Sequence, residues 1–116
     1  MSNSKTVFII PGFFSPSKNS EYITIGNQFL KKGFHVVYVN ISWKYRRISD
    51  WIEQFKTTYS KNKGTYNIVL GFSYGATIAY LASTLLGPDQ LYLCSMVAYF
   101  LEDLPHIPQA EILDIG

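Results

Sequence analysis

The chain has 116 residues, 47% of them hydrophobic and 16% charged, with a formal net charge of +2. That length holds one domain with a core of its own, the apolar share excludes a disordered chain, and the scattered pairs Lys31-Lys32 and Arg46-Arg47 form no continuous basic face for nucleic acid. Cys94 is the only cysteine and lies in an apolar run, which excludes an internal disulfide framework and reads as a buried core thiol in a reducing compartment. The N-terminal MSNSKTVFII lacks the charge and length of a signal peptide, and no apolar stretch reaches membrane-spanning length, so the expectation is a cytoplasmic protein without a membrane partner.

In chain order, the β-branched and aromatic run TVFII from Thr6, stopped by Pro11-Gly12, predicts a first strand buried on both faces. Ser17, Asn19 or Ser20 then caps a helix with Tyr22, Ile23, Phe29 and Leu30 at helical spacing, which ends at Lys31-Lys32-Gly33. FHVVYVNI predicts the second strand, SWKYRR a loop, and Ser49 or Asp50 caps a second helix with Trp51, Ile52, Phe55 and Tyr59 on one stripe. YNIVLG predicts the third strand, a third helix runs from Tyr74 to Leu86 before Gly87-Pro88, and LYLCSMV predicts the fourth strand.

Four strands alternating with three helices imply an α/β fold, an open parallel sheet with helices on both faces and right-handed crossovers. No repeat or linker divides residues 1–116, which read as a single domain. From Ala98 the pattern is lost, and 98–116 reads as an irregular excursion with no helix or strand of its own before Gln109–Leu113.

Where the third strand meets the third helix, Gly71-Phe72-Ser73-Tyr74-Gly75 fits G-x-S-x-G, in which a serine nucleophile sits on a sharp strand-to-helix turn. The turn strains the serine backbone, and strand and helix approach so closely that the flanking positions must be small, as Gly71 and Gly75 are. A plain turn serine is the alternative. An attacking serine needs donors for the developing oxyanion, and the backbone amides of Tyr74, at the helix N-terminus, and Phe13, after the first strand, are placed for that work. Phe13, Phe14, Phe72 and Tyr74 would line the region for an apolar acyl or alcohol group, or would simply be core.

Together GFSYG and PGFFSP resemble the nucleophile turn and the oxyanion loop of the α/β-hydrolase superfamily, its small compact serine hydrolases in particular, over almost the whole chain. The resemblance implies that the first strand corresponds to the family's third, with spatial order two, one, three, four, and that Ser73 is the nucleophile of an esterase- or thioesterase-like enzyme on a small acyl substrate. It leaves the substrate open, since members also include acyltransferases, peptidases and proteins without activity. The family order places an acid and then a histidine after the serine. Downstream of Ser73 the only histidine is His106, and Glu102 and Asp103 are the acidic candidates that follow the fourth strand. His35 lies ahead of Ser73, and Asp89 reads as a turn residue.

The triad is thus incomplete, and the reading is the N-terminal portion of a longer hydrolase, inactive or weak alone. The alternative is a reduced, non-catalytic binding module that covers an open, apolar fourth-strand edge by homodimerisation. A third class is a flavodoxin-like phosphate binder using Ser15, Ser17, Lys18 and Ser20. No dinucleotide or Walker glycine pattern and no ligand-spaced His, Cys or carboxylate cluster is present, so neither cofactor nor metal is expected.

Overall fold

The computed structural model describes residues 4–13, 15–44, 46–94 and 110–113. Strands β1 (Lys5–Ile10), β2 (His35–Tyr38), β3 (Tyr66–Phe72), β4 (Gln90–Cys94) and β5 (Ala110–Leu113) form one parallel sheet in the order β2-β1-β3-β4-β5. Helices α1 (Ser20–Lys31), α2 (Ile48–Asn62) and α3 (Tyr74–Leu86) make the first three crossovers. The family-derived spatial order of the first four strands is the observed one.

Period-2 alternation divides the sheet's apolar side chains between two layers. Val7, Ile9, Ile68 and Leu70 pack on Tyr22, Ile25 and Phe29 of α1. Phe8, Ile10, Val69, Leu91 and Leu93 face the opposite way, onto Phe55 and Tyr59 of α2 and Ala76, Ile78, Ala79 and Ala82 of α3. Helices therefore cover both faces, and the runs of β1, β3 and β4 are largely apolar because these strands are buried on both sides.

Asn19 is the cap of α1, its Oδ1 accepting the Tyr22 amide at 3.1 Å. At the other end Gly33 N–H donates to Leu30 O and Phe34 N–H to Phe29 O, both at 3.0 Å, with the Phe29 and Phe34 rings 5.2 Å apart. This paired closure with its apolar contact ends the helix. Helix α2 begins one residue ahead of the expected caps. Arg47 holds the cap position and Asp50, inside the first turn, accepts the Arg47 amide on Oδ2 at 2.9 Å. A carboxylate so placed satisfies one amide while meeting the positive end of the helix dipole.

The sheet has one strand more than the four expected. Leu91 to Cys94 of β4 are in parallel register with Ala110 to Leu113, so β5 occupies the edge that the sequence reading left open. An apolar strand with an unpaired ladder is a strong template for such addition. The expected fourth-strand residues Ser95, Met96 and Val97 lie outside the described residues, as do Phe14 and Tyr45.

Candidate active site

Strand β3 ends at Phe72 and α3 begins at Tyr74, leaving Ser73 alone in the turn at φ 56°, ψ −119°. It is the sole non-glycine residue with positive φ among the described residues. Such a conformation costs about 1–3 kcal/mol and persists only where the surroundings impose it. Here the Ser73 amide donates to Cys94 O at 2.9 Å, and the Ser73 carbonyl accepts the amides of Ala76 at 2.9 Å and Thr77 at 3.4 Å.

Backbone packing closes the same turn. A Cβ on Gly71 would strike the Gly75 carbonyl oxygen and stand 2.7 Å from Ala76 Cα. A Cβ on Gly75 would strike Pro11 O and stand 2.5 Å from Ile10 O. These neighbours are backbone and cannot swing aside, which is why both positions are glycine. A serine ahead of a helix ordinarily caps it through its hydroxyl. Ser73 makes no such bond, and its side chain is half-buried.

The loop after β1 lies against this serine. A Cβ on Gly12 would be 3.4 Å from Ser73 Cβ, and the Ser15 amide donates to Gly12 O at 3.0 Å across a tight turn through Phe13. The Gly12 amide donates to the buried hydroxyl of Tyr22 at 2.9 Å. β2 and β3 lie on opposite sides of β1, so the chain reverses its winding between β1 and β3. The crevice at the carboxyl ends of two such strands is where open α/β sheets bind ligands. Ser73 and Phe13 flank it, and the first amide of α3, which has no helical acceptor behind it, belongs to Tyr74.

Aromatic rings gather on one side of the serine. Phe13, 43% exposed, has its ring 5.2 Å from Tyr74, 5.3 Å from Trp43 and 5.7 Å from Trp51. The Trp51 indole N–H donates to Trp43 O at 3.3 Å and joins α2 to the loop after β2. Phe13 and Tyr74 therefore meet as expected, but Phe72 turns to the other layer, 5.0 Å from Tyr22. Trp43 and Trp51 are the members that sequence reasoning missed. Trp51 was legible only as part of a core stripe and Trp43 only as a loop residue.

His35 begins β2, exposed, at the amino end of the sheet. It shares a register level with Thr6 and Asn67, six residues before Ser73, or about 20 Å along the strands. That distance removes it from the chemistry of the serine. Asp89 accepts the Asn67 amide on Oδ2 at 2.6 Å and returns its own amide to Asn67 O at 2.9 Å, a structural clasp between β3 and β4. Glu102, Asp103 and His106 lie outside the described residues.

In the loop considered for phosphate, the Tyr22 amide at the α1 N-terminus is already taken by Asn19, and Lys18 Nζ lies 5.9 Å from the Tyr38 ring. Among the described residues no group of three or more His, Cys, Asp or Glu could hold a metal, and no helix is long and apolar enough to cross a membrane.

These observations define an open parallel α/β sheet with a strained serine at the carboxyl end of its central strand. No protein-family model and no curated protein matches the chain. Among solved structures it is similar to a protein of Agrobacterium vitis S4 described as a hydrolase, with a TM-score of 0.76 at 16% identity over 89% of this chain and 47% of that one. It is also similar to Est1E of Butyrivibrio proteoclasticus with bound ferulic acid (TM-score 0.70, 16% identity, 87% of this chain and 46% of that one). A pyrethroid hydrolase of Sphingobium faniae JZ-2 aligns with a TM-score of 0.62 at 17% identity, over 91% of this chain and 47% of that one. The chain has an α/β-hydrolase fold, in part, and spans less than half the length of each of these structures.

Proposed function

We propose that the chain is the nucleophile-bearing part of a cytoplasmic serine hydrolase that cleaves an ester, thioester or related acyl bond. The observation that carries this reading is Ser73 at φ 56°, held there by backbone hydrogen bonds at its amide and its carbonyl while its hydroxyl leaves the helix uncapped. A turn serine has no need of that conformation, whereas a nucleophile must stand clear of both strand and helix.

In the proposed reaction Ser73 Oγ attacks the acyl carbonyl, and its proton passes to a histidine oriented by an acid. The amides of Tyr74 and Phe13 hold the oxyanion of the tetrahedral intermediate, aided by the positive end of α3. The histidine then protonates the leaving group, and water releases the acyl group by the same steps in reverse. Phe13, Tyr74 and Trp51 take an apolar group of the substrate. The histidine and acid come from a further segment of the protein; the alternative is that Glu102 or Asp103 and His106 supply them from within this chain. The lone buried thiol of Cys94 suits a reducing compartment.

The test is hydrolysis of activated esters by the full gene product and its Ser73→Ala variant. The variant is expected to lose about 10⁴-fold or more in kcat/KM. Equal activity of the two proteins would sink the catalytic reading.

A further inference from the structure

We infer that Tyr22 is a positioning residue for the oxyanion loop, an inference that rests on the serine-hydrolase reading. Tyr22 belongs to α1, on the sheet face opposite α3, yet its side chain touches both halves of the site. Its hydroxyl accepts the Gly12 amide at 2.9 Å in a buried contact, and its ring lies 5.0 Å from that of Phe72, the residue before Ser73. Its own amide is held by Asn19 Oδ1 at 3.1 Å, and the side chain is only 6% exposed, so the hydroxyl is delivered from a fixed helix start.

The consequence follows from the geometry of a peptide unit. The proposed oxyanion donor Phe13 N–H shares a rigid plane with Gly12 C=O and points opposite to it. Its direction is therefore set by the backbone angles of Gly12, the residue type with the widest range of them. Gly12 is held on both sides: the N–H is bound to Tyr22, and the C=O accepts the Ser15 amide at 3.0 Å. The loop runs against Ser73, a Cβ on Gly12 standing 3.4 Å from Ser73 Cβ, and the tyrosine hydroxyl supplies the rigidity that glycine lacks. Phenylalanine at position 22 would keep the ring but leave a buried amide unpaired and one side of Gly12 unrestrained.

The experiment compares wild type, Tyr22→Phe and Ser73→Ala in the full gene product, with active sites titrated by a fluorophosphonate and ester hydrolysis measured per titrated site. Tyr22→Phe is expected to lower kcat per site by about 10- to 100-fold, as a loosened oxyanion donor should, with KM little changed and the acid limb of the pH profile unmoved. A merely structural role would reduce the number of titratable sites and leave kcat per site alone, and that result would overturn the inference while the serine reading stood. Equal activity of wild type and Ser73→Ala would overturn both. Should Tyr22→Phe fail to fold, amide exchange in the unmodified protein decides: Gly12 N–H should be protected, and exchange at the rate of an open loop would refute the proposed hydrogen bond.

Discussion

At Ser73 the chain accepts a backbone conformation that any other described residue of its kind avoids, and the compensation is local. Cys94 contributes through its carbonyl, which receives the Ser73 amide, while its side chain is buried with 1% exposure. Burial pushes the Cys94 thiol up from 9.0 to about 11. Below pH 9 the thiol is protonated in folded and unfolded chains alike, and its contribution to stability is complete. Above that pH the unfolded chain ionises while the folded chain holds its proton, so stability falls until the pH reaches about 11, by about 3 kcal/mol at most. Tyr59, raised by burial and then by the charge of Asp89, and Tyr80, raised by burial, add to the loss from about pH 10 upward. Denaturant titrations from pH 8 to 11 should show Cys94→Ala starting less stable but declining less between pH 9 and 10 than wild type. Parallel curves would mean that the thiol is not held protonated by the fold.

At the scale of elements, β3, α3 and the end of β1 meet backbone to backbone, with no room for a Cβ at Gly71 or Gly75. Gly75 and Gly87 provide an internal comparison. Gly87 closes α3 at φ 61° with nothing within 4 Å of a Cβ, so alanine there incurs only backbone strain of about 1–2 kcal/mol. Gly75 has ordinary helical backbone, but a Cβ would drive into the carbonyls of Ile10 and Pro11, and Gly75→Ala should cost more, about 3 kcal/mol or beyond. Urea midpoints of the two variants check this, and an equal or reversed ranking would show that α3 can slide away from β1. The elements themselves were legible because β1, β3 and β4 are buried on both faces and so carry unbroken apolar runs. β5 was not, since the four residues AEIL carry too short a signal to separate a strand from a loop. The α2 cap was displaced because Asp50 works from within the first turn, a role that its position in the sequence does not separate from capping proper.

Across the whole molecule, local signals specified the fold and part of the candidate site. Ser73 was readable because G-x-S-x-G is a spacing imposed by one turn, and Phe13 because it follows the first strand. Trp43, Trp51 and Tyr22 were not, because they come beside the candidate site only when the loop after β2, α2 and α1 converge on the carboxyl end of the sheet. The dimerisation expectation rested on β4 being an edge. With β5 paired to it, the free ladder on that side of the described sheet belongs to β5. In the proposed reading, a histidine and an acid from a further segment of the protein complete the site.

The most direct test of this account is the intact mass of the natively expressed gene product before and after exposure to a fluorophosphonate, with the adduct mapped by peptide sequencing. The account predicts a mass above 13.2 kDa and a single adduct on Ser73. A protein of 13.2 kDa that takes up no reagent would contradict it and leave the strained turn as a feature of the fold alone.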